Sequence, residues 1–238
     1  MSSKIGLNLT KRYSINFSLP KRNNKILKFI IIHYTGMKSE KAAIDRLTNI
    51  QSEVSSHYFI TKNGSITLLV PELYNAWHAG KSKWRDQSLL NKSSIGIEIT
   101  NPGHRFGYKN FTNKQINSTV FLIKYLVKKY KISKKNILGH SDIAPDRKKD
   151  PGEKFPWEYL AKKKLSIWHN IRQQELKNLR KKRCSKIEKY KFSKNLIKIG
   201  YLGKNLAKVT KAFQRRFRPQ VVDGQIDQEC LKISKKLI

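Results

Sequence analysis

Three histidine-centred segments carry the residue types best suited to chemistry: His33 directly after an apolar run, His78 in Ala76-Trp77-His78-Ala79-Gly80, and His140 in Gly139-His140-Ser141-Asp142. Imidazole nitrogens are common zinc ligands. No two of these histidines have the i, i+4 spacing that sets a ligand pair on one helix face. Taken alone, each therefore reads as an ordinary histidine at a strand end sooner than as a metal ligand, and spacing alone defines no site. Glu98 is the odd residue in Ile95-Gly96-Ile97-Glu98-Ile99. A carboxylate in so apolar a strand either faces solvent on a half-exposed edge or is aimed into a cleft, within reach of a proton it can abstract.

The elements that must position these residues are legible as patterns. Ile26 to Ile32 is a short Ile-rich run, read as a buried strand, and it leads straight into His33-Tyr34-Thr35-Gly36. Ser39 to Asn49 offers a capping serine, with Ala42, Ala43, Ile44 and Leu47 spaced for one helix face. His57 to Thr61 and Ile66 to Val70 read as strands joined at Asn63-Gly64, a strong hairpin signal. Ile95 to Ile99 alternates as a strand and stops at Asn101-Pro102-Gly103. Between Thr112 and Lys131, Ile116, Val120, Ile123, Leu126 and Val127 recur at helical spacing, which predicts the longest amphipathic helix. Ile137-Leu138-Gly139 predicts a further short strand ending at His140. Such alternation of strands and helices predicts an α/β fold, a central mixed β-sheet flanked by helices. The expected partition is a basic lead-in over 1–25, the α/β domain over 26–169, a basic helical connector over 170–194, and a small all-α module over 195–238. The α/β domain, with its own strands and long helix, is expected to fold alone.

Five segments, FIIIHYTG (29–36), VSSHYFI (54–60), AWHAG (76–80), SIGIEITNPG (94–103) and GHSDIAPDRKKDPG (139–152), follow one another in the order and spacing of a known family. The chain resembles the type 2 N-acetylmuramoyl-L-alanine amidases, which share a fold with animal peptidoglycan recognition proteins and phage amidases. The resemblance implies zinc-dependent cleavage of the amide between N-acetylmuramic acid, or its 1,6-anhydro form, and L-alanine, in peptidoglycan or soluble muropeptides. Carried over position by position, it implies one zinc ion per chain, held by His33, His140 and Asp150. Three nitrogen and oxygen ligands leave a catalytic zinc its open fourth position. It further implies Glu98 as the general base and Lys148 as the oxyanion stabiliser. The offset of Lys148 within its segment separates it from its neighbour Lys149. His57, Trp77 and His78 fall in segments that line the family's cleft, so substrate contact is expected of them, with Asn101 and Arg147 as further candidates. Support of the strand ends is the competing role for all of these. Asp142 either orients the His140 ring or caps the local turn. The stretch 195–233 resembles a small three-helix peptidoglycan-binding module, in which Phe213 and Phe217 are core residues. The alternative is a non-catalytic recognition protein on the same fold; such proteins typically lack a metal ligand, and here every ligand position is filled.

With 38% hydrophobic and 10% aromatic residues in 238, the chain is not compositionally disordered and is long enough to bury a real core. A formal charge of +35, from 51 Lys+Arg against 16 Asp+Glu, attracts polyanions; equally, it is the by-product of a Lys-rich composition spread over the whole chain. No recognition-helix, RNP-type or zinc-finger pattern points to a dedicated nucleic-acid role, which leaves non-specific, salt-sensitive polyanion binding. Cys184 and Cys230 exclude a disulfide framework and leave one bridge open. No run approaches the roughly 18–20 apolar residues of a membrane span. Met1 to Lys25 lacks the apolar stretch of a secretory signal. That favours the bacterial cytoplasm, whereas a wall-binding module favours periplasm or cell wall, and both compartments stay open.

Overall fold

The structure is a computed structural model and describes residues 9–238; the first eight residues of the expected lead-in lie outside the described residues. In chain order the strands are β1 (Thr10–Lys11), β2 (Phe17–Ser18), β3 (Phe29–Tyr34), β4 (Tyr58–Ile60), β5 (Ile66–Leu68), β6 (Asn75–Ala76), β7 (Lys83–Trp84), β8 (Gln87–Ser88), β9 (Ser94–Ile99) and β10 (Ile137–Gly139). The helices are α1 (Glu40–Thr48), α2 (Asn113–Tyr130), α3 (His140–Ile143), α4 (Trp157–Lys162), α5 (Gln173–Arg180), α6 (Lys186–Ile199), α7 (Leu206–Phe217) and α8 (Gln228–Lys236). Among the described residues no helix is long and apolar enough to cross a membrane.

A six-stranded mixed sheet runs β1-β5-β4-β9-β3-β10, and only the β4-β5 hairpin is antiparallel. Side chains along a strand point alternately to the two faces. On one face Ile30, Ile32, Ile95, Ile97 and Ile99 pack under Ile116, Val120, Ile123 and Leu126 of α2. That helix begins at a capping box in which Thr112 and Gln115 each satisfy the other's backbone N–H. The opposite face carries Phe29, Ile31 and His33 of β3 beside Ser94, Gly96 and Glu98 of β9. Because β3 and β9 are parallel and His33 pairs with Glu98, the two side chains stand next to each other. The chemistry-bearing residues thus lie at the carboxyl ends of parallel strands, where open α/β sheets place their ligand crevices.

The C-terminal helices cover part of that second face. Phe29, Ile31, Leu138 and Ile143 share one core with Trp84, Phe192, Tyr201, Phe213 and Phe217. Arg216 of α7 is buried against the sheet: Nη1 donates to Asp142 Oδ2 at 2.5 Å and Nη2 to Ile137 O at 2.9 Å, and its guanidinium stacks 4.3 Å above the Trp157 ring. Asp142 also accepts from the Gly139 N–H (2.8 Å) and from the Tyr201 hydroxyl (2.7 Å). The capping role foreseen for Asp142 is therefore present, joined by a buried ion pair that fastens α7 to the turn carrying His140.

Three expectations about partition are corrected by this packing. The lead-in contributes β1 to the main sheet and β2 to a two-stranded sheet with β6, because its backbone pairs with edges the core leaves open. The connector boundary at 194/195 falls inside α6, whose Ser185–Glu188 capping box starts it nine residues earlier than expected. The expected separability of the α/β part meets a shared core. Cys184 and Cys230 are both free thiols.

A chain ending at His169 should accordingly fail to fold cooperatively. Arg216→Ala, which strands Asp142 without its partner at 1% side-chain exposure, should cost about 3–5 kcal/mol. Thermal and urea unfolding check both; a truncated chain that melts cooperatively near the full-length temperature would show that the shared core is dispensable.

Candidate active site

His33 is the penultimate residue of β3, His140 follows β10 immediately, and Asp150 returns to His140 through a loop closed by the Ser141 N–H donating to Asp150 O at 2.8 Å. Their ligand atoms converge: His33 Nδ1 lies 3.0 Å from His140 Nδ1 and 2.9 Å from Asp150 Oδ2, and His140 Nδ1 lies 3.1 Å from Asp150 Oδ2. All three residues are buried. They form a cluster that can hold a metal ion. An edge near 3 Å suits a single ion at about 2.0–2.2 Å from each donor, and two imidazoles with a carboxylate are a donor set that zinc accepts.

Proton directions around the cluster follow from its outer end. Leu90 O can only accept, so the Ser94 hydroxyl donates to it, at 2.5 Å. Ser94 Oγ then accepts from His78 Nε2 (3.2 Å), which leaves His78 Nδ1 bare to accept from His33 Nε2 (3.1 Å). The neutral His33 ring carries its proton on Nε2, and its Nδ1 lone pair faces the cluster. Likewise His140 Nε2 donates to Ala79 O at 3.1 Å and keeps Nδ1 free. Arg147 holds that carbonyl in place: it donates to Ala79 O and, at 2.8 Å, to Lys81 O. Hydrogen bonds of this outer kind set ligand tautomer and orientation. Gly96 makes room for the relay, since a Cβ there would come within 2.5 Å of His78 Cγ.

Electrostatics supports lone-pair availability. Burial, reinforced by His140, lowers the His33 pKa to about 4, so the ring is neutral at neutral pH. Burial alone would raise the Asp150 carboxyl, yet His140 and His33 hold it well below the usual carboxylate range. For Glu98, burial together with the Asp150 charge pushes the carboxyl up to about 8, against the opposing charges of Lys148 and Arg46. Glu98 Oε2 has no hydrogen-bond partner among the described residues.

Above the cluster opens a cleft of about 700 Å³, walled by Tyr34, Arg46, Trp77, Glu98, Phe106 and Lys148 among others. Lys148 is half-buried and its charge acts on both His33 and Glu98; Lys149 lines the same cleft but is exposed. Trp77 forms a wall, its indole N–H donating to Ser18 Oγ at 2.8 Å. The other expected substrate contacts all have partners within the fold, and two of them still line the cleft. His57 stays out of the cleft wall, fixed between the Gly96 N–H (2.9 Å) and Tyr74 O (3.0 Å). Asn101 is buried and clamps its own loop by donating to Lys109 O at 2.8 Å and accepting from the Gly103 N–H at 3.0 Å. His78 and Arg147 border the cleft, and they also hydrogen-bond to His33 and to the Ala79 carbonyl that holds His140.

Sequence reasoning missed Ser94, the end of the His33 relay, and Arg22, a buried arginine in the supposed lead-in. Arg22 Nη1 donates to Asn91 O and Ser94 O, both at 2.8 Å, and Nη2 to Glu72 O at 2.5 Å. Neither has a local signal: one is a serine within a strand, the other one of 51 basic residues.

The fold and the site define an α/β protein with a His-His-Asp cluster able to hold a metal ion at the carboxyl edge of its parallel strands. Residues 22–153 match the N-acetylmuramoyl-L-alanine amidase family, and the chain belongs to that family. It is 33% identical over 230 residues to the N-acetylmuramoyl-L-alanine amidase AmiD of Escherichia coli, covering 89% of this chain and 82% of AmiD. It is 42% identical over 113 residues to the 1,6-anhydro-N-acetylmuramyl-L-alanine amidase AmpD of Haemophilus influenzae, covering 47% of this chain and 59% of AmpD. The solved complex of E. coli AmiD with anhydro-N-acetylmuramic acid-L-Ala-D-gamma-Glu-L-Lys superposes with a TM-score of 0.78 at 31% identity, covering 92% of this chain and 91% of that one.

The raised Glu98 pKa has a stability consequence with a definite sign. In the metal-free chain the folded state keeps a proton that the unfolded state releases between pH 4.5 and 8, so stability falls as pH rises through that window. Glu98→Gln should therefore melt higher than the parent at about pH 9 and equally at about pH 4. Melting curves of both metal-free proteins across pH check this; a difference independent of pH would refute burial of the carboxyl as its cause.

Proposed function

We propose that this chain hydrolyses the amide between N-acetylmuramic acid, in ordinary or 1,6-anhydro form, and L-alanine of a muropeptide, with one zinc ion held by His33, His140 and Asp150. The observation that carries the reading is the convergence of three donor atoms beside a carboxyl group that has an unpartnered oxygen. Bound there, zinc supplies Lewis acidity: it polarises a carbonyl oxygen and lowers the pKa of a water ligand to about 7.

The chain's own residues do the rest. Glu98, next to His33 on the same face, takes a proton from the attacking water on Oε2 and returns it to the leaving nitrogen. Lys148 Nζ donates to the carbonyl oxygen as negative charge develops there. Trp77, pinned by Ser18, offers an apolar wall to the sugar or lactyl group. A recognition protein without catalysis has no use for an unpartnered buried carboxylate beside a complete donor set, which favours the enzyme. We also read the C-terminal helices as a peptidoglycan-contacting unit, in keeping with their likeness to the three-helix module.

Mass spectrometry of products from soluble anhydro-muropeptide tests the reading directly: a free peptide beginning with L-alanine is expected, and its absence with zinc-loaded protein would overturn the proposal. A strong chelator should abolish hydrolysis and zinc restore it, while His33→Ala should lose both metal and activity. Glu98→Ala and Lys148→Ala should keep zinc and lose about 10²–10⁴-fold in kcat, with Lys149→Ala far milder. Ser94→Ala and Gly96→Ala, which break or crowd the His78 relay, should weaken zinc binding by about 10–100-fold, read by competition with a chromogenic chelator.

A further inference from the structure

A second cavity, of about 450 Å³, lies beside the cleft, and the two share His104, Arg147, Lys148 and Lys149 in their walls. Its far side is α7, which presents Lys208, Lys211 and Arg215. Spaced i, i+3 and i+7, these three occupy one helix face. Arg215 is the informative residue. It is only 8% exposed, its Nε is buried without a hydrogen-bond partner, and no carboxylate of the described residues lies within ion-pair distance, although the charge of Glu153 acts on it from farther away. The neighbouring buried arginines also leave Nε unpartnered but each has a carboxylate: Arg216 pairs with Asp142, and Arg218 with Asp223 and Asp227.

The two acids in the cavity wall are already engaged. Glu153 Oε2 lies 3.1 Å from His104 Nε2, and Asp146 accepts the Lys204 and Asn205 N–H groups at 2.8 and 3.1 Å, where the chain enters α7. Six cationic side chains against these two carboxylates line the space and leave it strongly positive. Burying a guanidinium without an acceptor is unfavourable, so an acceptor from outside the chain fits the site.

The substrate reading supplies one. In the ligand of the AmiD complex, L-alanine is followed by a glutamate linked through its γ-carboxyl. That linkage leaves the α-carboxylate free and charged, one residue beyond the alanine on the leaving side of the scissile amide. We propose that the Arg215 cavity binds this free carboxylate of the peptide stem, making α7 part of the substrate site. The inference rests on the amidase reading above. Arginine presents a planar fork that matches a carboxylate with two parallel hydrogen bonds, and Lys208 and Lys211 add attraction from the rim.

The test compares two substrates, anhydro-N-acetylmuramic acid-L-Ala-D-γ-Glu-L-Lys and its counterpart in which the glutamate α-carboxylate is a carboxamide. The full-length protein should prefer the acid by about 10–100-fold in kcat/KM, chiefly through KM, as expected for one charge-assisted contact. Arg215→Gln should bring that ratio near one, and Arg215→Lys should keep part of it. Should Arg215→Gln fail to fold, Lys211→Gln at the half-buried rim should lower the ratio in a folded protein. Equal treatment of acid and amide by the parent would overturn the subsite, as would an Arg215→Gln variant that loses both substrates alike. Calorimetry with the two tripeptides alone separates the layers: a preference for the acid peptide that disappears in Arg215→Gln supports the subsite even if the amide bond is never cut, an outcome that would count against the amidase reading alone.

Discussion

Two imidazole nitrogens and a carboxylate oxygen, each with a lone pair, meet at about 3 Å in a buried spot, and such a meeting is tolerable only if a cation sits among them or protons intervene. The surrounding hydrogen bonds route the protons away. His33 sends its proton down a line through His78 and Ser94 to the Leu90 carbonyl, and His140 sends its proton to the Ala79 carbonyl that Arg147 fixes. Both chains end on backbone acceptors, which cannot reverse direction. The capacity of the cluster to hold a cation therefore depends on these hydrogen bonds as well as on the three donors.

Two larger features serve that local constraint. Strand alternation puts five buried isoleucines, Ile30, Ile32, Ile95, Ile97 and Ile99, against α2 and leaves His33, Gly96 and Glu98 on the other face, so the same pleat that builds the core aims the chemistry. Parallel pairing then sets His33 beside Glu98 in register, and a slip of one residue would turn both away from the cleft. The C-terminal helices close the arrangement from behind. Arg216 and Tyr201 grip Asp142, which caps the turn that begins at His140, so a donor atom and the distal helices are mechanically linked through one carboxylate.

What the sequence discloses and what it withholds divide along physical lines. Elements governed by local pattern were readable: the helix capped by Ser39, the hairpin at Asn63-Gly64, the alternation around Glu98 and the long helix after Thr112 occur where the pattern puts them. The cluster of His33, His140 and Asp150 came from motif order, since no spacing rule links residues more than a hundred positions apart. Roles that depend on what lies across the fold were hidden. His57, Asn101 and Arg147 have side-chain types that suit substrate contact, but only packing shows that backbone groups occupy them. Arg22, Arg215 and Arg216 are alike in sequence, three among 51 basic residues, and differ only in what they are buried against. The supposed linker and lead-in were likewise invisible as structural parts, because their pairing partners lie on distant segments.

The account turns on which atoms hold the metal, and the X-ray absorption spectrum of the zinc-loaded, full-length protein at the zinc edge addresses that directly. Two imidazole nitrogens and a carboxylate oxygen should appear at about 2.0–2.2 Å, with no sulfur shell and one ion per chain. A sulfur shell near 2.3 Å, pointing to Cys184 or Cys230, or a first shell without imidazole scattering, would contradict the site on which the rest is built.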